Sequence, residues 1–308
     1  MGQLDDRLMP VFAAQHWLVS RADVRRMGGT WRQERLRVER GAWEVADNGV
    51  YRLAGAPTTW ESRTLAPILA IGGRTRASHH CAAALHGIPG HGQGSAEISI
   101  ERGLGFRRDH VRVHTSTDLD RSDPVVVRGV PCTNLPRTIL DLARTASDRR
   151  ILQAIEWGRR SKRTDWSELI STLARHARRG RPGIRRLRRV IMANAHRDEV
   201  TDSDFELLVL AFLAEHGAPE PIVHHRVFDG LRFVAEVDLA YPHLKIAIEL
   251  DGSTHLERDV RERDLPRQND LVLLGWTVLR FSWTRFTQRP DAVLAEIRAA
   301  IRVRSQAA

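Results

Sequence analysis

Lys245–Gly252, KIAIELDG, and the segment before it, Phe233–Pro242, FVAEVDLAYP, decide the fold of the C-terminal third. Side chains alternate along a strand, so Ile246, Ile248 and Leu250 share one side while Ala247, Glu249 and Asp251 share the other. Two carboxylates therefore stand on one face. Asp238 lies four residues before the Pro242 turn, and an offset or a bulge is needed to bring it beside the far end of the next strand.

Upstream, Ser203–Gly217, SDFELLVLAFLAEHG, reads as a helix capped by Ser203 or Asp202, with Glu206 in its first turn and Phe205, Leu208, Leu210, Phe212 and Leu213 supplying apolar faces. A strand, HHRVF, precedes the Gly230 turn, and TVLRFSW supplies a last strand, so the order is α, β, β, β, α, β. Clustered carboxylates at a sheet edge suit Mg²⁺, which takes one or two carboxylates plus phosphate oxygens and offsets charge in phosphodiester cleavage. Without a cation, such a cluster repels itself and its pKa values rise.

The chain has 308 residues, with 42% hydrophobic and 28% charged, which fits two or three folded domains and excludes wholesale disorder. A net charge of +10 and a pI near 10.9 favour polyanionic partners, nucleic acid first. Lys162 and Lys245 are the only lysines, so base bias towards arginine is the competing account of that charge. Cys81 and Cys132 lack CxxC spacing, which argues against a disulfide framework or zinc knuckle and fits a reducing cytoplasm. No window approaches 18 uninterrupted apolar residues, so neither export nor membrane insertion is expected.

Residues 1–58 read as helix, turn, helix, wing: Ser20 as an N-cap, a Gly28-Gly29 turn, a helix from Thr30, and strands around Asp47-Asn48-Gly49. In the second helix Trp31, Leu36 and Val38 alternate with Arg32, Arg35, Arg37 and Arg40, a basic face for a phosphate backbone or a major groove. The alternative is a protein-docking helical module with solvated arginines. Residues 59–197 read as mixed α/β: helices Ser62–Ile71 and His79–Gly87, β-like runs AEISIE, HVRVHT and PVVVRGVPCT, then an Arg-rich helical extension. His79, His80, His86 and His91 lack ligand-spaced carboxylates and read as structural. The run Arg175–Arg189 is either a nucleic-acid strap or a solvated helix pair. The polar stretch Asn194–Asp202 places a boundary near 198, leaving 198–308 as the last domain.

The combination SDFE, EVDLAYP, IAIELDGSTH, RERDLPRQNDLVLLGW and VLRF resembles the very-short-patch-repair-like branch of the PD-(D/E)xK endonuclease superfamily. The resemblance implies a restriction-endonuclease-like α/β domain, Mg²⁺ or Mn²⁺ as cofactor, Asp238 as central metal ligand, and Glu249 and Asp251 as the acidic pair. It further implies Glu206 as the helix carboxylate, for which plain helix capping is the competing role, and His255 as a proton-transfer candidate. One position departs from the motif: Asp251 stands where E-x-K has its lysine. Lys245 sits four strand residues from Glu249, roughly 13 Å of backbone, and is no substitute. His255 is the local candidate base, with hydrogen bonding to a carboxylate as its plainer role, and Arg280 could steady the phosphate.

The N-terminal two thirds, through GVYRLAGAPTTW, SHHCAAALHGI and GVPCTNLPRTILDLA, resemble the AbiEi-type abortive-infection antitoxin. That implies a DNA-binding module and leaves a cognate toxin as a further partner. The overall expectation is a multidomain α+β protein in which an N-terminal winged helix delivers a metal-dependent endonuclease to double-stranded DNA. The alternatives are an antitoxin-like regulator with a silent nuclease fold and an interaction scaffold.

Overall fold

The computed structural model describes residues 3–119, 124–251 and 267–307. The chain divides into two compact units, residues 1–142 with 152–163, and residues 143–151 with 164–308. The boundaries expected at 58/59 and at 197/198 both fall inside these units.

The first unit opens with α1 (Gln3–Ala14), β1 (Leu18–Ser20), α2 (Arg21–Arg26), α3 (Trp31–Glu39), β2 (Trp43–Asp47) and β3 (Val50–Leu53). The three strands are antiparallel in the order β1-β3-β2. Ser20 and Thr30 head α2 and α3 with full capping boxes, closed by Asp23 and Gln33. Leu4, Leu8, Phe12, Val24, Trp43 and Tyr51 form the core of this segment. Leu18 and Val50, however, pack into the next cluster with Trp60, Leu65 and Ile98, which is why residue 58 is no unit boundary.

The rest of this unit holds α4 (Trp60–Ile71), α5 (His79–His86), α6 (Leu135–Leu142) and a mixed five-stranded sheet. Its strands are β4 (Arg76–Ala77), β5 (Ala96–Glu101), β6 (Val111–Ser116), β7 (Pro124–Val127) and β8 (Val130–Thr133), in the order β6-β5-β4-β8-β7. The run read as one strand, PVVVRGVPCT, breaks into the β7–β8 hairpin at Arg128-Gly129, both at positive φ. The two-residue β4 is too short for alternation to reveal. Asp148–Arg160 forms α7.

In the second unit α8 (Trp166–His176) and α9 (Ile184–Asn194) pack on α10 (Asp202–Glu215). Arg188 reaches Glu215 at 2.8 Å and lies over the Phe212 ring, and Ser167 Oγ donates to Asp204 at 2.7 Å. The Arg-rich extension therefore belongs with the helix bearing Glu206, because its apolar residues Leu169, Leu173, Leu187 and Ile191 need a partner face. Thr201, not Ser203 or Asp202, caps α10, with Asp204 closing the capping box. Phe205 and Phe212 pack against Phe286, and each buried ring contributes roughly 1.5–3 kcal/mol.

The four-stranded sheet runs β12-β11-β10-β9, from β9 (Ile222–Asp229), β10 (Arg232–Tyr241), β11 (Ile246–Asp251) and β12 (Thr277–Ser282). β9, β10 and β11 are antiparallel neighbours, while β12 joins β11 in parallel after a helical stretch over residues 267–273. Lys245 closes the β10–β11 connection at φ 49°, and its Nζ donates to the Leu274 carbonyl. Helices Trp283–Gln288 and Pro290–Ala307 complete the unit.

Candidate active site

Strand pairing assembles the site. β9 and β10 pair with Val237 opposite His225 and Leu239 opposite Val223, which sets Asp238 against His224. β10 and β11 pair from Tyr241 opposite Ile246 to Leu239 opposite Ile248, and that register continued one step beyond the last pair places Asp238 beside Glu249. Glu249 in turn stands opposite Arg280 on β12. Residues opposite one another share a face, so His224, Asp238, Glu249 and Arg280 form one row across all four strands. No bulge between β10 and β11 is needed for this. The side chain of Asp238 accepts the Leu250 N–H at 2.7 Å, a carboxylate inserted into the strand ladder itself.

Glu206 joins the row from α10, where it sits in the second turn, two residues beyond Asp204, which closes the capping box headed by Thr201. Capping is thus done by another side chain. Its Oε2 is 3.3 Å from Nε2 of His224, a residue held at φ 50°. Burial pushes the Glu206 carboxyl above the usual range, the charges of Asp238 and Asp202 push the same way, and His224 opposes them. Asp251 follows Glu249 by two residues on the same strand face and ends the described part of β11. His255 lies outside the described residues.

Glu249 is engaged at both oxygens. Its Oε2 is 2.7 Å from Arg280 Nη2 and its Oε1 is 3.5 Å from Arg267 Nη2, so each oxygen faces a guanidinium. Arg267 also donates to the Glu236 carbonyl. Lys245, tied to Leu274 at the other end of the strand, stays out of the site as the spacing required. The sequence reading missed His224 and Arg267. The pattern His224-His225-Arg226 followed by Asp238 held part of the signal for the first: the hairpin turn at 230–231 alone would set 224 against 237, and the one-residue register shift between Phe233 and Ala235 brings 238 level with 224.

The arginines of the N-terminal segment divide. Arg32 and Arg40 are exposed, and Arg35 is exposed and paired with Glu39. Arg37 turns back onto Asp5 with two hydrogen bonds, 2.7 and 3.1 Å, and lies over Trp43. In the middle segment His79 stacks on His114 at 3.6 Å, and His114 Nε2 bonds Glu97 at 2.9 Å. His80 Nδ1 meets His91 Nδ1 at 3.2 Å, and His86 bonds the Thr133 carbonyl. Among the described residues no three His, Cys, Asp or Glu side chains form a ready metal cage.

Residues 205–301, which carry Glu206, the four strands and the whole cross-sheet row, match the restriction endonuclease-like family REase_MTES_1575. The C-terminal domain is restriction-endonuclease-like. The chain is also similar to uncharacterized proteins of two bacteria. A protein of Haemophilus influenzae is 41% identical over 61 residues, 20% of this chain and 50% of that protein. One of Mycobacterium tuberculosis is 26% identical over 162 residues, 52% of this chain and 58% of that protein. The chain thus spans about half the length of the curated relatives it matches. The crystal structure of the RV2827C protein from Mycobacterium tuberculosis aligns with a TM-score of 0.33 at 10% identity, covering 75% of this chain and 90% of that one. No helix among the described residues is long and apolar enough to cross a membrane.

Restriction-endonuclease-like nucleases generally use divalent metals, and the nuclease-like domain offers donors of the right type. Mg²⁺ needs only one or two carboxylates beside water and phosphate. Asp238 and Glu249, on adjacent strands, are the carboxylates that would hold it, and the charge of Asp238 is one of the causes that raise Glu206.

Proposed function

We propose that the C-terminal domain is a metal-dependent endonuclease that hydrolyses phosphodiester bonds in double-stranded DNA. The observation that carries this reading is the cross-sheet row His224, Asp238, Glu249 and Arg280 with Glu206 set against it. Asp238, Glu249 and Asp251 would hold Mg²⁺ or Mn²⁺, which supplies neutralisation of charge on the phosphorane when bound. Glu206 and His255 are assigned to handling protons at the attacking water, and Arg280 to the phosphate.

The N-terminal segment is read as the winged helix that delivers the domain to DNA. Its order of helix, strand, helix, helix and hairpin, with Arg32, Arg35 and Arg40 exposed on or just after α3, supports that role. A second reading, an antitoxin-like regulator whose nuclease fold is silent, is favoured by two observations: both oxygens of Glu249 face arginines, and Asp251 replaces the motif lysine. A cognate toxin partner belongs to that second reading.

The test is incubation of supercoiled and linear DNA with the protein and Mg²⁺ or Mn²⁺, beside Asp238→Asn and Glu249→Gln. Nicking by wild type that both variants lose supports the enzyme. Equal nicking by all three, or salt-sensitive binding with no nicking, sinks it.

A further inference from the structure

We propose that Trp31, on the outer face of α3, reads thymine in the major groove of duplex DNA by covering its 5-methyl group. This rests on the reading of the N-terminal segment as the DNA-delivering module and deepens it by naming the base it favours. Two inward side chains fix the rotation of α3. Glu34, 2% exposed, accepts from Arg21 Nε at 3.0 Å and from the Tyr51 hydroxyl at 2.9 Å. Arg37 turns back onto Asp5. At about 100° per residue the opposite side then carries Trp31, Arg32, Arg35, Leu36 and Glu39, all of them exposed. Three arginines, Arg32, Arg35 and Arg40, stand against one carboxylate, Glu39, which Arg35 meets at 2.7 Å. The outer face is therefore positive.

Charge accounts for the arginines and not for the apolar pair among them. Trp31 is 64% exposed and Leu36 40%, on a helix whose other side is already packed. Trp31 is also the first residue of α3, directly after the N-cap Thr30, whose capping box with Gln33 fixes where the helix starts. A side chain at that position leans over the turn before it, and the start of a helix laid in the major groove is the part that meets base edges. Those edges are hydrogen-bond donors and acceptors, with one apolar group among them, the thymine methyl. An indole has a single N–H donor and is otherwise carbon, so what it gains there is cover for that methyl group. Leu36 widens the apolar contact farther along the face. A protein partner could cover the indole as well, but the groove offers both requirements together, methyl groups on its floor and phosphates along its rims for the arginines.

The experiment starts by selecting duplexes from a randomised library with the full chain in EDTA. The best duplex is then made with thymidine and with deoxyuridine, which lacks only the methyl group, and fluorescence anisotropy compares wild type, Trp31→Ala, Trp31→Phe and Arg32→Ala on both. Wild type should bind the uracil duplex more weakly, by about fourfold for each methyl group it covers. Trp31→Ala should bind the two duplexes equally, and Trp31→Phe should keep part of the preference. Equal binding of both duplexes by wild type overturns the proposal and needs no variant to fold. A thymine preference of undiminished size in Trp31→Ala overturns it too, and wild-type affinity of Trp31→Ala for the thymine duplex hands the face to a protein partner. Failure of the DNA-delivery reading looks different: Arg32→Ala then binds DNA as tightly as wild type, whereas failure of this proposal alone leaves Arg32→Ala weakened and the thymine preference absent or independent of Trp31.

Discussion

His224 Nε2 lies 3.3 Å from Glu206 Oε2, joining an edge strand to the helix that covers it, and neither residue is near the other in sequence. Glu206 is mostly buried, and burial holds its carboxyl above the usual range. The folded chain then keeps this proton to a higher pH than the unfolded chain does, so stability falls as pH rises through the ordinary carboxylate range to the raised value. Glu206→Gln removes that loss. In EDTA its Tm is expected to exceed that of wild type at neutral pH and to converge with it in acid. A variant that melts lower at neutral pH would show that the His224 contact outweighs the burial of charge.

Asp238 has one structural task and, in the proposed function, a second as metal ligand. Its carboxylate accepts the Leu250 N–H at 2.7 Å, and an amide oxygen can do the same. Asp238→Asn should therefore keep near wild-type stability while losing nicking, whereas Asp238→Ala should also lose about 1–3 kcal/mol through the unsatisfied amide. Chemical denaturation of the three proteins reads this directly. Equal stability of the alanine and asparagine variants would remove the ladder role.

The C-terminal fold was legible because its strands alternate and its turns carry Gly230 and Pro242. Glu249 and Asp251 could be put on one face by counting, yet Asp238 was expected to need an offset. The tight 3₁₀ turn Pro242–Leu244, followed by a left-handed Lys245, sets Leu239 opposite Ile248, and that register continued one step brings Asp238 beside Glu249. His224 and Arg267 escaped notice because their contacts with the site join distant parts of the chain. The unit boundaries escaped it for a different reason: which surface the amphipathic α8 and α9 cover is a tertiary choice that periodicity does not encode.

Arg37 tests whether the N-terminal arginines are one basic face. It is largely buried, held bidentately by Asp5 and stacked on Trp43, so its charge is already matched within the fold. Arg37→Ala should cost about 1–2 kcal/mol of stability through lost packing and pairing. Arg32→Ala and Arg40→Ala should leave stability within about 0.5 kcal/mol while weakening DNA binding and flattening its salt dependence. Thermal melts and binding at several salt concentrations separate the two effects. Three variants with equal melts and equal binding losses would restore Arg37 to the DNA face.

The two thiols should be inert. Cys81 and Cys132 are both buried, and burial pushes the Cys132 thiol up to about 12 and raises that of Cys81. Iodoacetamide reacts with thiolates, so native protein at neutral pH is expected to label at neither cysteine and denatured protein at both. Mass spectrometry of labelled peptides gives the answer, and rapid native labelling of Cys132 would contradict its burial.

His79 makes the first unit sensitive to acid. Burial holds its imidazole down at about 4 rather than 6.5; Asp141 opposes this and the stacked His114 adds to it. Between those values the unfolded chain binds a proton that the folded chain refuses, so stability is complete above pH 6.5 and is lost as pH falls towards 4. The full span corresponds to about 3 kcal/mol. A second loss follows at lower pH. Burial would raise Glu97, but the hydrogen bond from His114, the nearby imidazoles and the His80 N–H together hold it at about 2, so its contribution fades as pH falls from 4.5 through that value. His79→Asn tolerates the positive φ of 50° and carries no titrating group. Its Tm should therefore fall less steeply than that of wild type between pH 6.5 and 4. Parallel curves across the whole interval would mean that the buried imidazole is not the group being charged.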